Sequence, residues 1–290
     1  MKPEEELQSQ RIQASQCLSR FIELVHSRIN PSYLESFWEC EEAFRDLLKS
    51  SFLVEILNFE LSKIIDRPIH VPMTANPTNW TFVVDGKFTL NANIYSSYSG
   101  RSDSSISSHS CHHFVGVLEG DPVLLKLFQT QDGHENDVFN RSERLICLGE
   151  KLLSKGEYIK IRADQDVYFV EPSKQSTLLV SFSSPLQKNL TWVYDADTLR
   201  PVHAIAANMT DSRIEMVSSV LAHFTYKGAV NTLKNVLRHG SHFVRWKVIK
   251  ALMVLDHDAG LEALTLALGD PHLHVRNAAK RTLDSIVQVN

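Results

Sequence analysis

Apolar positions along the first 66 residues recur at helical spacing. Leu18, Phe21, Ile22, Leu24 and Val25 form one stripe, which Asn30-Pro31 ends. Phe37, Trp38, Phe44, Leu47 and Leu48 form a second. A third runs from Phe52 to Ile65, with Leu53, Ile56, Leu57 and Leu61 expected on one side, and closes at Asp66-Arg67-Pro68, where proline forbids continuation. From residue 69 the period shortens. Thr81 to Val84, then Asp85-Gly86, then Phe88 to Leu90 predict a hairpin, because Asp-Gly suits the left-handed geometry of tight turns. Serine-rich Ser96 to Ser108 reads as a loop. Short β-favouring runs follow at 113–118, 123–128, 144–148, 158–161, 167–170, 177–182 and 190–194, split by turn formers such as Gly120-Asp121-Pro122. Many short strands at close spacing predict a sandwich or barrel.

After residue 211 the helical period returns, now as a repeat of about 31 residues. Leu233 and Leu237, then Ser241 to Arg245, then Ala251-Leu252 and Leu255 are matched by Leu264 and Leu268, then Pro271 to Arg276, then Ala278-Ala279, Leu283 and Ile286. The paired leucines, the Val-Arg pairs and Asp270-Pro271 resemble the HEAT repeat family. Each such unit is a helical hairpin that buries its apolar face only by stacking, so two of them need support. Arg213 to Thr225 is the expected neighbour. The chain thus predicts an α+β protein in three parts: helices over 1–68, a β-barrel or sandwich over 69–210, and HEAT-like helices over 211–290.

Composition changes little. Apolar residues are 43% and charged residues 22%, enough for a real core, and the net charge of −4 gives no general grip on nucleic acid. No apolar run reads as a membrane span, and the acidic start Met1 to Glu6 does not read as a signal peptide. Cys17, Cys40, Cys111 and Cys147 form no CxxC pair, which fits a reducing cytoplasm.

The densest chemistry is Ser107-Ser108-His109-Ser110-Cys111-His112-His113. On one extended strand Ser107, His109, Cys111 and His113 would share a face, with His112 opposite, and two imidazoles so placed can share a metal ion. No Gly-rich phosphate loop, GxSxG elbow or HExxH helix is present, so hydrolase, kinase and dinucleotide-enzyme readings have no residues to rest on.

This stretch, its continuation Phe114 to Gly120, and later segments from Lys155 to Thr198 resemble the cupin superfamily, more narrowly its cysteine-dioxygenase-like members. That resemblance implies a barrel holding one redox metal, Fe(II) foremost, that oxidises a small amino-acid-like or thiol compound with dioxygen. It makes His109 and His113 the metal ligands, with oxygen from Asp166 or Tyr168 where the family carries a later histidine. Ser107 stands where the family has the first histidine of its HxH pair. Tyr168 and Arg162 complete the candidate catalytic set. Arg162, Asp164 and Arg213 are candidates to clamp an amino-acid-like ligand, His203 to line the cavity, and the loop Gln129 to Asn140 with His134 to cover it. The rival is a metal-free binding module whose repeats face a protein partner or a second copy. His239, His242, His272 and His274 resemble a metal cluster on paper, but inter-helical loops account for them better.

Overall fold

The computed structural model describes residues 3–30, 32–66, 78–96, 105–171 and 176–289. The chain divides into two compact units, Met1–Ala204 and Ile205–Asn290. The architecture is mixed α+β, with helices at both ends and antiparallel sheets between them.

In the first unit, helices α1 (Pro3–Ala14), α2 (Gln16–Arg28), α3 (Glu41–Leu48) and α4 (Phe52–Asp66), with a 3-10 helix at Leu34–Cys40, precede the strands. Ser15 starts α2 by accepting a hydrogen bond from the Leu18 amide. The stripe expected of α4 is rotated. Phe52, Ile56 and Glu60 are its buried residues and Leu61 is exposed. The buried ion pair of Glu60 with Arg11 of α1 accounts for the turn, because a carboxylate with that partner can occupy the inner face.

Eleven strands are described, β1 (Asn79–Val84), β2 (Thr89–Tyr95), β3 (Ser105–Ser107), β4 (His113–Gly120), β5 (Val123–Gln129), β6 (Ile146–Leu153), β7 (Tyr158–Ile161), β8 (Asp166–Val170), β9 (Thr177–Ser183), β10 (Leu190–Asp195) and β11 (Pro201–Ala206). They form sheets in the orders β1-β2-β9-β4-β7, β11-β10-β3 and β6-β5-β8. The expected hairpin around Asp85-Gly86 is β1–β2. The loop expected over Ser96 to Ser108 ends in a strand instead. Ser105–Ser107 pairs with Val193–Asp195, while residues 97–104 lie outside the description. No periodic signal announced β11, which opens on a proline that an edge strand tolerates at its first position.

The five-stranded sheet has two different faces. Leu90, Ala92, Phe114, Val180 and Phe182 point to the helices and form one core with Phe21, Phe37, Phe44 and Phe52. The N-terminal helices therefore share a core with the sheet. Gly116 permits the closest approach, since a Cβ there would lie 2.4 Å from Leu48 Cδ1. On the other face, Val115, Val117, Ile159, Ile161 and Leu179 pack with Val123, Leu125 and Leu153 of the β6-β5-β8 sheet. The result is helices, sheet and sheet in layers; a closed barrel is not among the described pairings.

In the second unit, α5 (Met209–His223), α6 (Val230–Val236), α7 (His242–Leu255), α8 (His257–Ala267) and α9 (Leu273–Val289) share one core. Leu233 and Leu264, like Val244 and Val275, are buried at matched places in the repeat. The expected neighbour is present, with Ile214, Leu221 and Ala222 of α5 packed against that core. Arg245 and Arg276 each donate through Nη1 to two carbonyl oxygens of the preceding loop. Arg245 also grips Asp270 with two bonds of 2.8 and 2.6 Å, both side chains being buried.

Candidate functional site

The histidine-rich segment is not one continuous strand. β3 ends at Ser107 and β4 begins at His113. Residues 108–112 between them are held by hydrogen bonds. Ser108 exchanges bonds with Trp192, Ser110 accepts from the Gln187 amide, and His112 donates its amide to Ser184. Strand alternation therefore does not set the side-chain directions, yet the two predicted imidazoles do meet. The His109 and His113 rings stand 5.0 Å apart between centroids and nearly perpendicular, at 72°. His112 turns the other way, as expected, onto Phe37 and Trp38, and its Nδ1 accepts from the Ala163 amide.

His113 and Ser183 are partners across the β4–β9 ladder, and Ser181 lies two residues along the same face. The His113 Nδ1 is 2.8 Å from the Ser183 hydroxyl and 3.2 Å from that of Ser181. A hydroxyl can accept from Nδ1–H, which leaves the lone pair on Nε2, or donate to Nδ1, so either tautomer is served. His109 stacks on Tyr168 at 4.7 Å and 12°, which fixes its ring plane. Its Nε2 is fully covered and makes no hydrogen bond. Burial holds both rings neutral. It lowers the His109 pKa to about 4 against a smaller opposing pull from Asp166, and carries His113 well below 6.5, with His109 and His112 adding to the effect.

The remaining predicted residues are placed less favourably for a metal. Asp166 is taken by Arg162, whose backbone amide, Nε and Nη2 all donate to it at 2.8, 2.9 and 3.2 Å. Cys111 makes no thiolate at neutral pH, since burial raises its pKa to about 11. His203 is exposed on β11 and lines no interior. Arg213 is exposed on α5 of the second unit, while Arg162 and Asp164 belong to the first. Among the described residues no group of three or more His, Cys, Asp or Glu side chains is placed to hold a metal ion, and this includes the four histidines of the repeats. There His242 and His272 stack instead, with centroids 3.7 Å apart.

A centroid separation of 5.0 Å is compatible with one ion between the two rings, as it is with an edge-to-face ring contact. With metal–nitrogen bonds of about 2.1 Å, two imidazoles on one ion hold their centroids roughly 5 Å apart, the separation found here. A third protein ligand is not among the described residues.

A second polar cluster surrounds His134, in the loop that the sequence offered as a cover for the site. The His134 side chain is 3% exposed and both ring nitrogens meet carboxylates, Nδ1 to Glu143 at 2.6 Å and Nε2 to Asp164 at 3.1 Å. Asp164 also receives Asn136 Nδ2 at 2.8 Å and Lys188 Nζ at 3.3 Å. The indole of Trp192, fully buried, donates to the Asn136 carbonyl and presents its ring to His134 at 4.5 Å. Asp164 adopts φ +62°, a conformation aspartate tolerates better than most residues, and its amide donates to the His109 carbonyl. Residue spacing gave no hint of this network, because its members come from three separate segments.

No protein-family model matches the chain, and no curated protein matches it. Similar solved structures include a hydroquinone 1,2-dioxygenase crystallised with Cd2+ and 4-hydroxybenzonitrile, at 12% identity over 37% of this chain and 64% of that one, TM-score 0.26. A DMSP lyase from Ruegeria pomeroyi is 8% identical over 45% of this chain and 51% of its own, TM-score 0.24. A cupin-like protein from Thermotoga maritima is 12% identical over 47% of this chain and 82% of its own, TM-score 0.24. The chain spans less than two thirds of the first two. Likeness of this size leaves function to be argued from the residues themselves.

Proposed function

We propose that the Met1–Ala204 unit is a cupin-type enzyme domain that takes a divalent transition metal, Fe(II) foremost, on His109 and His113. The reaction proposed is oxidation of a small amino-acid-like or thiol compound by dioxygen. The observation that carries this reading is the pair of neutral, buried imidazoles 5.0 Å apart, one with a covered and unpartnered Nε2. An iron(II) ion bound there would supply one-electron chemistry toward dioxygen, with positions left open for substrate. The chain's own residues do the rest. Ser181 and Ser183 hold the His113 ring through its Nδ1, Tyr168 holds the plane of His109, and the apolar wall of Val115, Val117 and Leu179 keeps water out. Arg162, on the exposed side of Asp166, is the candidate to meet a substrate carboxylate. The helical unit is read as a HEAT-like pair that serves a protein partner or a second copy.

One observation favours a second reading, a metal-free small-molecule-binding module. Asp166, the expected oxygen ligand, is bound to Arg162. Elemental analysis of the full chain purified without chelator separates the two. Iron near one per chain, lost in folded His109→Ala and His113→Ala variants, supports the enzyme. Protein that carries no metal, and whose melting temperature ignores added Fe(II), Ni(II) and Zn(II), refutes it.

A further inference from the structure

The five-stranded sheet and the β6-β5-β8 sheet stand apart along β7. A cleft of about 450 Å³ opens there, between β7 on one side and residues of β5, β6 and β8 on the other. That volume suits a small organic ligand. All four residues of β7 line it. Ile159 and Ile161 belong to the core between the sheets, while Tyr158 and Lys160 turn to the helices and bond Glu41, the first residue of α3. A wall made from both faces of one strand is that strand's edge. β7 ends its sheet, so the cleft also meets the N–H and C=O groups that face away from β4.

The opposite wall is irregular. The β5–β6 ladder pairs Leu127 with Gly149 and Phe128 with Cys147, which leaves Leu148 as an extra, unpaired residue. Gly149 takes φ +115°, a conformation that favours glycine. A bulge of this kind re-aims a side chain, and Leu148 lines the cleft while 57% exposed. The core does not account for a leucine so displayed. Lys151 lines the cleft as well. Its ladder partner Leu125 is completely buried between the sheets, so the lysine projects from that same face. The other charges around the cleft are matched locally. Glu41 takes Tyr158 and Lys160, and Asp166 takes Arg162. Lys151 has no ionic partner among the described residues. The cleft is therefore apolar, with one positive charge to spare.

We infer that this cleft binds a small monocarboxylate with an apolar body, its anion meeting the Lys151 ammonium and its body lying against Leu148 and the edge of β7. A single lysine, with no arginine fork and no second free cation beside it, suits one negative charge better than a phosphate. Neither His109 nor His113 lines the cleft, and its ligand needs no metal ion.

The test is calorimetric titration of the full chain with 4-phenylbutyrate and with 4-phenylbutan-1-ol, which lacks the charge, each with and without EDTA. The acid should bind about fivefold more tightly than the alcohol, with EDTA or without it. Lys151→Gln should bring the acid down to the level of the alcohol. Leu148→Ser should weaken both probes about fivefold. Both side chains are exposed, so both variants should fold and melt as wild type does. No binding of either probe at about 10 mM, equal binding of the two, or a preference that survives in Lys151→Gln overturns the site. Loss of the acid in EDTA alone would assign it to a metal ion and overturns the site too. So does a Lys151→Gln chain that self-associates yet binds the acid as before, because the lysine would then be guarding the β6 edge against pairing.

Discussion

The first unit holds two histidine sites, linked through Asp164, and they are built on opposite principles. At His134 both ring nitrogens meet carboxylates, and those carboxylates have further partners in Asn136 and Lys188. At the other site His109 Nε2 is covered and meets nothing, and His113 is bonded through Nδ1 alone. A saturated cluster is what a fold uses to hold itself together. An unsaturated one is a standing cost that the fold bears for something it binds.

Removing His134 should give the largest effect. His134→Ala leaves Glu143 and Asp164 close together and buried without the cation between them, with an expected loss of about 3 kcal/mol, measured by denaturant unfolding. His109→Phe should cost less than about 1.5 kcal/mol, because it keeps a ring stacked on Tyr168 and deletes a nitrogen that has no bond to lose. It should remove bound metal instead. A reversal of that order would mean that the two clusters have been assigned the wrong roles.

The two sites should also respond to pH in opposite directions. At His134 burial disfavours the charged ring, and hydrogen bonds to Asp164 and Glu143 more than offset it, so its pKa is raised. The folded chain then binds that proton more tightly than the unfolded one. The contribution is complete below about 6.5 and fades as pH climbs through the raised value. His109, near 4, and His113 are depressed by burial. Their contribution is complete above about 6.5 and is lost as pH falls toward 4, because the unfolded chain takes up protons first. Amide exchange, corrected for intrinsic rate, should show 130–145 gaining protection from pH 8 to 6. The amides around His113 should lose protection from pH 6.5 to 4.5. Parallel changes in both segments would break the comparison.

The contrast also explains what the sequence made legible. Periodicity identified the hairpin at Asp85-Gly86, most of the strands and the matched burial of Leu233 with Leu264, because those features are local and repeat along the chain. It placed His109 near His113, although through a wrong intermediate: the segment is a bonded loop between two strands, and the loop brings the rings together. What escaped was long-range pairing. Nothing in the spacing ties His134 to Asp164, or turns α4 so that Glu60 faces in to Arg11. The grip of Arg162 on Asp166 escaped for the same reason. The type of Asp166 suits a metal, but its partner Arg162 sits one turn away and is closer than any ion need be.

That pair supplies the mildest and most direct probe. Arg162 is half exposed, so Arg162→Gln should change stability by no more than about 0.5 kcal/mol. The substitution nevertheless frees Oδ1 of Asp166, while Oδ2 keeps the bond from the backbone amide of residue 162, and Asp166 is near enough to His109 to raise its proton affinity. If the centre lacks only an oxygen ligand, metal should be held more tightly in this variant, and the gain should vanish in Arg162→Gln/Asp166→Asn. Equilibrium dialysis against Zn(II) reads both. Unchanged affinity in the single variant would show that Asp166 cannot reach the imidazoles even when released. The third position would then belong to a ligand from outside the chain.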